Sequence, residues 1–200
     1  MKKIGVLVSG RGSNLQAIID AIETGYIDTA IAIVVSDVGD AHALTRSREH
    51  GIKAVHVNPN SFTTKDSYEE EILTLLHEEG VDLVLLAGYM RIVGKRLLDA
   101  YYGRILNIHP ALLPSFPGLH AQEQAFDYGV KVTGCTVHFV NKGIDTGPII
   151  LQRCVSVLED DTPDSLADRI LEKEHQIYPE AVKLFIEDRL TIDGRQVKIK

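Results

Sequence analysis

Short apolar runs alternate with amphipathic segments along the first half of the chain. Four runs have the length and apolar content of buried β-strands, namely residues 4–8, 30–35, 53–57 and 81–87. Three segments between them are predicted helices, namely residues 15–22, 41–50 and 65–79. In the first helix the apolar residues share one face, formed by Leu15, Ile18, Ile19 and Ile22. Strands that alternate with helices in this way predict a doubly wound α/β fold with a mostly parallel sheet.

The second half of the chain keeps the alternation and adds an antiparallel element. A strand ends at His109, and residues 121–128 form a predicted short helix. Residues 134–140 and 149–157 are predicted strands. The loop between them is short and rich in turn-forming residues, which favours an antiparallel hairpin and therefore a mixed sheet.

A long helix is predicted near the C-terminal end of the chain. Thr162, with Ser165 three residues later, begins this helix, which runs to Leu190. Pro179 is expected to kink or break it, because proline lacks the amide hydrogen. The whole pattern predicts a single-domain, doubly wound (Rossmann-like) α/β fold. Helices cover both faces of a mostly parallel sheet that includes an antiparallel C-terminal hairpin.

The composition restricts the classes of function. The 200 residues are 44% hydrophobic and 24% charged, as in an ordinary folded domain. The net charge of −7 disfavours nucleic-acid binding, which needs a basic face. No apolar run is long enough to span a membrane, and no secretory signal pattern is present. Cys135 and Cys154 lie in apolar runs and are predicted to be reduced core residues of a cytoplasmic protein.

The strand that ends at His109 carries the strongest catalytic signal. Asn107 and His109 are two positions apart, so their side chains face the same side of the strand. A loop with three prolines and Gly118 follows, which predicts a rigid loop. Open α/β sheets bind ligands at the carboxyl ends of their strands. We therefore expect the amide and the imidazole to lie at the catalytic edge of the sheet.

Asp145 is the best candidate for an acid beside His109. Thr-Gly-Pro follows it in a tight turn that would fix its direction, although the sequence alone leaves this pairing open. His138 is predicted to be a core histidine instead. An amide, an imidazole and a carboxylate suit acyl transfer without a covalent enzyme intermediate. No Gly-x-Ser-x-Gly or His-Glu-x-x-His pattern occurs, which disfavours a nucleophilic serine and metal-dependent hydrolysis.

A glycine-bounded loop follows the first strand and leads into the first helix. Such a loop offers free amides and a favourable helix dipole to an anion, but it can equally be a structural turn. The Walker A pattern is absent, and Leu15 occupies the position of the third glycine in the dinucleotide fingerprint. A single phosphomonoester therefore fits better than a dinucleotide. Ser13 or Asn14 is predicted to cap the helix, and Asp37, after the second strand, is assigned a capping role in preference to a ribose contact.

Residues 88–93 follow the most hydrophobic strand and mix apolar groups with one cation. Two interpretations remain open for this segment. It can be a packed loop with a solvated arginine, or a wall for a flat ligand that is apolar and anionic. The residues alone do not decide between them.

Taken together, these segments resemble a known enzyme family. Six motifs occur in order: Ser-Gly-Arg-Gly-Ser-Asn-Leu-Gln (9–16), Ala-Gly-Tyr-Met-Arg-Ile (87–92), Asn-Ile-His-Pro-Ala-Leu-Leu-Pro (107–114), Phe-Pro-Gly-Leu-His (116–120), His-Phe-Val (138–140) and Asp-Thr-Gly-Pro-Ile (145–149). Over nearly its whole length the chain resembles the phosphoribosylglycinamide formyltransferases, folate-dependent enzymes of de novo purine synthesis.

The resemblance implies one formyltransferase domain over residues 1–200. Its N-terminal half, about 1–100, would bind the nucleotide phosphate. The part from about 85 to 150 would be catalytic and folate-binding, and a C-terminal helix would cover about 162–190. The implied substrates are glycinamide ribonucleotide and 10-formyltetrahydrofolate, the latter as formyl donor, with no metal. The implied assembly is a monomer or homodimer without nucleic-acid or membrane partners.

The resemblance also assigns residues to roles. The implied catalytic residues are Asn107, His109 and Asp145. The implied phosphate-binding residues are Gly12, Ser13 and Asn14. A further ribonucleotide contact is implied at Glu174, which the residue pattern alone would make a solvated charge. The implied folate-binding residues are Lys65, Met90, Arg91, Ile92, Val93, Asn107, Val140 and Asn141. Lys65 stands where some members carry arginine, so it keeps the cation but not the bidentate geometry.

Other functions remain as alternatives. A 10-formyltetrahydrofolate hydrolase has a similar catalytic domain, but it usually has an N-terminal regulatory domain, for which a first strand at residue 4 leaves no room. A formyltransferase acting on initiator tRNA would need an extra domain and a basic face. A non-catalytic regulator that binds nucleotide or folate would have no reason to retain Asn107, His109 and Asp145 together.

Overall fold

The strand and helix alternation predicted from the sequence is present in the computed structural model, which describes residues 1–200. The strands are β1 Lys3–Val8, β2 Ala30–Ser36, β3 Lys53–His56, β4 Leu83–Leu86, β5 Ile105–His109, β6 Val132–Phe139, β7 Ile149–Ser156, β8 Leu190–Asp193 and β9 Gln196–Ile199. The helices are α1 Ser13–Glu23, α2 His42–Glu49, α3 Lys65–Glu78, α4 Lys95–Ala100, α5 Ala121–Tyr128 and α6 Pro163–Ile186. The chain divides into two units, Met1–Leu106 and Asn107–Lys200.

In the first unit β1 is the central strand. It pairs in parallel with β2 on one side and with β4 on the other, and β2 pairs with β3. Val6 lies opposite Val34 and Leu85, and all three side chains are fully buried. Burial on both faces explains why these strands are continuously apolar. The order of strands reverses between β1 and β4, and open α/β sheets bind ligands at the carboxyl ends of the strands at such a point.

In the second unit β6 and β7 form an antiparallel pair. Val132 lies opposite Ser156, and Val137 lies opposite Leu151. Helix α6 packs against both strands and buries one apolar face that includes Ile177. The hairpin predicted from the turn-rich loop is therefore confirmed.

The sheet has seven strands in the order β3-β2-β1-β4-β5-β6-β7, and β8 and β9 form a separate two-stranded sheet. The predicted doubly wound, mostly parallel α/β fold is confirmed. That the chain is a single domain stays a prediction. None of the helices combines the length and the apolarity that a membrane span requires.

The long C-terminal helix differs from the prediction in two ways. It is not broken at Pro179, because the proline ring is buried with its neighbours and this packing offsets the one lost hydrogen bond. It ends at Ile186 rather than Leu190, because Asp188 adopts a left-handed conformation, with a φ of 56°, that terminates the helix. Leu190 belongs to strand β8 instead.

Three other features were not predicted correctly. Helix α4 was missed because its first turn is held from a distance, by the buried Glu69 carboxylate that accepts the amide of Gly94. The hairpin of β8 and β9 was missed although Gly194, at its turn, is a typical signal. Cys154 is exposed on β7 and is not a core residue, whereas Cys135 is buried, and both thiols are free.

We predict that Thr162→Ala lowers the free energy of unfolding by about 1 kcal/mol. The Thr162 side chain accepts the amide of Ser165, whose hydroxyl accepts the amide of Thr162 in turn, so the change leaves helix α6 without its cap. Urea denaturation measures the difference. Thr74→Ala inside helix α3 is the control, because that hydroxyl bonds only within its own helix, to the carbonyl of Glu70. Equal losses for the two variants would contradict the capping role.

Candidate active site

The carboxyl end of β5 presents Asn107 and His109 on one side of the strand. The Asn107 side chain is half-buried and His109 is 3% exposed. His109 Nδ1 lies 3.4 Å from Asp145 Oδ2, and Asn107 Nδ2 lies 3.5 Å from Asp145 Oδ1. The structure therefore brings together the amide, the imidazole and the carboxylate that the sequence singled out.

The loop that carries Asp145 is pressed against the end of β6. A Cβ atom at Gly147 would lie 1.6 Å from the carbonyl oxygen of Phe139, so only glycine fits there. Asp145 itself has a φ of 51°, which is unusual for a residue with a side chain. Asn141 Oδ1 accepts hydrogen bonds from the Gly143 amide and the Thr146 hydroxyl. These constraints point the carboxylate of Asp145 toward β5.

The proline-rich loop after β5 closes over the same groups. The backbone oxygen of Phe116 lies 2.8 Å from His109 Nε2, and the amide of Gly118 donates to Asp145 Oδ2 at 2.8 Å. Thr136 fixes the start of the loop, because its hydroxyl accepts the Leu113 amide and donates to a backbone carbonyl. The Leu113–Pro114 peptide bond is cis. Backbone groups of the loop thus bond to the side chains of His109, Asp145 and Thr136, and these bonds hold the loop in place.

His138 is a site residue that the sequence analysis missed. It is 2% exposed, its Nδ1 lies 2.9 Å from the Phe139 carbonyl, and its Nε2 lies 3.2 Å from Asn107 Nδ2. A carbonyl oxygen only accepts, so Nδ1 carries a ring proton, while Nε2 faces both the amide of Asn107 and, at 3.6 Å, Asp145 Oδ1. The amide group of Asn107 thus lies between His138 Nε2 and Asp145 Oδ1, which orient it. The sequence signal that could have identified His138 is its position near the carboxyl end of β6.

Asp145 is ionised at neutral pH. Burial works to raise the pKa of its carboxyl, whereas contacts from His138 and the Gly118 amide, and the electrostatic interaction with His109, lower it. The lowering effects prevail, and the pKa lies below its ordinary value of 3.8. The carboxylate can therefore stabilise an imidazolium beside it.

His109 is neutral in the free protein. Burial lowers the pKa of the imidazole, while the Asp145 carboxylate and the Phe116 carbonyl raise it. Burial prevails, and the pKa lies below the ordinary value of 6.5. Both ring nitrogens nevertheless face acceptors, so an imidazolium would find hydrogen-bond partners at once. Negative charge that develops nearby would favour uptake of this proton.

The glycine-bounded loop of the first unit begins helix α1. The N-cap is Gly12, with a φ of 74°, and no side chain caps the helix, so the predicted cap by Ser13 or Asn14 is wrong. A Cβ at Gly12 would lie 2.7 Å from Ala43 Cβ, so the close approach of helix α2 excludes a side chain. An α-helix leaves its first amides without intrahelical partners, and such amides favour an anion.

The segment 88–93 exposes large apolar groups. Met90 and Ile92 are 62% and 63% exposed, whereas Val93 is buried. Lys65, at the start of helix α3, is exposed. Exposed apolar side chains of this size beside a switch point in the sheet favour the ligand-wall interpretation over a packed loop.

The remaining predicted contacts lie in the second unit. Val140 is partly exposed and Asn141 is exposed, at the start of the loop that carries Asp145. Glu174 is 6% exposed, so it is not the solvated charge that its pattern suggested. Burial of Glu174 arises because its face of helix α6 packs on the sheet. No group of three or more His, Cys, Asp or Glu side chains in the structure is arranged to hold a metal ion.

Comparison with known proteins adds to this geometry. Residues 2–182 match the formyl transferase family. The chain is 44% identical over 183 residues to the phosphoribosylglycinamide formyltransferase of Bacillus subtilis (strain 168), covering 92% of this chain and 94% of the relative. The structure superposes on glycinamide ribonucleotide transformylase 1 from Symbiobacterium toebii with a TM-score of 0.98 and 54% identity, covering 100% and 94% of the two chains.

A hydrolytic relative is more distant. The formyltetrahydrofolate deformylase from Pseudomonas syringae pv. tomato superposes with a TM-score of 0.91 but is 28% identical. The match covers 99% of this chain and 65% of that one. The fold is therefore shared with a hydrolase, while the higher sequence identities are with transferases.

We predict that the His109 imidazole titrates below pH 6.5 in the free protein and lower still in Asp145→Asn, since the carboxylate charge that raises its pKa is then absent. NMR of labelled histidine rings measures both titrations, and His109→Asn identifies the resonance. The exposed His56, in the other unit, provides the internal reference resonance. An increase in the pKa of His109 on removal of the charge would refute this account.

The same shift predicts a pH dependence of stability. Between pH 6.5 and the lower pKa of folded His109, the unfolded chain binds a proton that the folded chain does not. The free energy of unfolding should therefore fall as the pH drops below about 6.5, and His109→Asn should remove this part of the decrease. Urea titrations of both proteins at several pH values test this, and parallel curves would contradict it.

Proposed function

The chain belongs to the formyl transferase family, and we propose that it transfers a formyl group from 10-formyltetrahydrofolate to the amine of glycinamide ribonucleotide in de novo purine synthesis. The observation that carries the proposal is the contact of His109 and Asn107 with the Asp145 carboxylate, within 3.5 Å. Relatives that match nearly the whole chain are named for this reaction. The products are formylglycinamide ribonucleotide and tetrahydrofolate.

The proposed reaction is a direct transfer. The amine of the ribonucleotide attacks the formyl carbon, and a C–N bond forms as the carbonyl oxygen becomes an oxyanion. The amide of Asn107 stabilises that oxyanion, together with the imidazole of His109 once it has taken a proton from the attacking amine. In this scheme the oxyanion replaces the Phe116 carbonyl as the acceptor for His109 Nε2.

The second half of the reaction expels the folate nitrogen. The bond from the formyl carbon to that nitrogen breaks, and a proton from the attacking amine passes to the leaving nitrogen. His109 and an ordered water relay this proton, and Asp145 stabilises the imidazolium. His138 supports both steps, because it fixes the amide of Asn107.

Substrate positions are part of the proposal. The amides at Gly12, Ser13 and Asn14 would hold the phosphate, since that helix start has no side-chain cap. Met90, Arg91, Ile92 and Val93 would line the pterin site, supported by the exposed side chains of Met90 and Ile92. Lys65, Asn107, Val140 and Asn141 would also contact the folate. Buried Glu174 would contact the ribonucleotide.

The assembly and the location of the protein are also part of the proposal. We expect a monomer or homodimer in the cytoplasm without nucleic-acid partners, and the net charge of −7 supports the last point.

The main alternative is hydrolysis of 10-formyltetrahydrofolate. The deformylase from Pseudomonas syringae shares the fold, so water instead of an amine is a chemically reasonable acceptor. The helix start at Gly12, with its exclusion of side chains, favours an acceptor that carries phosphate. A binding protein without activity is disfavoured by the position of the buried His109 imidazole, 3.4 Å from the Asp145 carboxylate.

We predict that deformylation of 10-formyltetrahydrofolate depends on the acceptor. Purified protein is incubated with the donor, with and without glycinamide ribonucleotide, and tetrahydrofolate formation is followed. Turnover that requires the ribonucleotide and yields its formylated product supports the transferase. Equal turnover without the ribonucleotide would identify a hydrolase, and no turnover in either mixture would leave a binding protein.

We predict that His109→Asn and Asp145→Asn each lower kcat about 10²–10⁴-fold, the range expected for loss of proton transfer or oxyanion stabilisation. The folded content, measured by circular dichroism, should remain that of the parent. His56→Asn is the matched control, because His56 is exposed and lies in the other unit. Near-normal turnover in either site variant would remove that residue from the mechanism.

A further inference from the structure

Three strand ends of the first unit meet in one hydrogen-bonded cluster. The hydroxyl of Ser9, after β1, donates to Asp37 Oδ1 at 2.6 Å and accepts the amide of Met90 at 2.9 Å. The amide of Ser9 donates to the carbonyl of Gly88 at 3.1 Å. Ser9 therefore joins the carboxylate that follows β2 to the segment that follows β4.

Asp37 uses its two carboxylate oxygens for different partners. Oδ1 accepts from Ser9, while Oδ2 lies 4.0 Å from Nη1 of Arg91. The side chain of Asp37 is 9% exposed, whereas that of Arg91 is 46% exposed. Burial of an unpaired carboxylate is costly, so Asp37 needs hydrogen bonds and a neighbouring cation. Both are supplied by the cluster itself.

Neither of the roles considered from the sequence describes Asp37. The turn after β2 is capped by Ser36, whose hydroxyl accepts the amide of Val38 and donates to its carbonyl. The Asp37 side chain is only 9% exposed, which leaves little of it accessible for a ribose contact. The capping role expected for Asp37 is therefore wrong.

Aromatic residues hold Arg91 from a second direction. Its guanidinium lies 5.4 Å from the centre of the Tyr68 ring, a cation–π distance. The hydroxyl of Tyr68 is 2.9 Å from that of Tyr89. Burial raises the pKa of both phenols, so their hydroxyl groups keep their protons at neutral pH and the contact persists. Arg91 is thus placed by an anion and by a ring.

The segment held by these contacts has little packing of its own. Met90 and Ile92 expose most of their side chains, so the hydrophobic effect does not fix them in the free protein. Their positions follow from the backbone bond to Ser9 and from the placement of Arg91 between them. A flat ligand that packs on the two exposed side chains depends on that placement.

We infer that Asp37 is a positioning residue for the folate-binding segment 88–92, acting through Ser9 and Arg91. The inference rests on the proposed function, in which this segment contacts the formyl donor. Loss of the Asp37 charge should loosen the segment and weaken binding of the donor. The catalytic residues Asn107, His109 and Asp145 lie in the other unit, and the chemistry once both substrates are bound should continue.

The test is Asp37→Asn, which keeps the shape of the side chain and removes its charge. The KM for 10-formyltetrahydrofolate should rise about tenfold, the equivalent of one charge-assisted hydrogen bond. We expect kcat and the KM for glycinamide ribonucleotide to stay within about twofold of the parent. Asp40→Asn, three residues further along the chain, is the matched control because Asp40 is exposed. It should leave all three constants unchanged.

Ser9→Ala is the second variant and keeps the inference testable if Asp37→Asn folds poorly. It removes the hydroxyl that links Asp37 to Met90, and it should also raise the KM for the donor. In the double variant with Asp37→Asn the two effects should be less than additive, because both act on one linkage. Fully additive effects would count against this linkage.

The affinity for tetrahydrofolate can be measured by fluorescence quenching. This measurement needs no turnover, so it tests the inference separately from the proposed function. Weaker binding in Asp37→Asn supports the inference even if the parent transfers no formyl group to the ribonucleotide. Unchanged folate binding, or a rise in KM for the ribonucleotide instead of the donor, would overturn it. A parent that binds folate but lacks acceptor-dependent turnover would reject the proposed function alone.

Discussion

The candidate site depends on one largely buried carboxylate, that of Asp145, which must remain ionised. Asp145 lies in a largely water-excluded position, and a charge there costs several kcal/mol unless hydrogen bonds and opposite charge compensate for it. The amide of Gly118, the amide of Asn107 and the rings of His109 and His138 surround it. Each of these groups is in turn oriented by the carboxylate. The same contacts therefore compensate the charge of Asp145 and orient the catalytic side chains.

This requirement explains the local backbone. The loop after β6 must approach that strand closely enough to deliver Asp145, and Gly147 is needed because a Cβ there would overlap the Phe139 carbonyl. The left-handed conformation of Asp145 is a strained one for a residue with a side chain. Strain of this kind persists only where surrounding contacts outweigh it, and the Gly118 amide and the two histidines supply those contacts.

Much of this arrangement follows from local sequence patterns, and the remainder depends on neighbours distant in the chain. The spacing of Asn107 and His109 fixes their common face because a strand alternates sides, and the apolar runs of β1 and β4 fix a buried parallel sheet. His138 has the same alternation, but its partner is a residue thirty-one positions earlier, which no local pattern reveals. Glu69, which holds the start of helix α4, and the buried Glu174 were beyond prediction for the same reason. A capping role is the natural prediction for Asp37, because a polar residue at a strand end often bonds to the backbone of the turn beside it. Here Ser36 makes those bonds instead.

The neutral resting state of His109 allows this imidazole to accept a proton during the reaction. An imidazole that was charged in the free protein would pair with Asp145 permanently and would have no proton affinity left for the reaction. Burial instead keeps His109 neutral, although acceptors face both of its nitrogens. The contacts that stabilise the imidazolium are therefore in place before the reaction. The negative charge of the oxyanion then shifts the protonation equilibrium of His109 toward the imidazolium. Preorganised acceptors and a neutral resting base stabilise the transition state more than the ground state, which is the condition for catalysis.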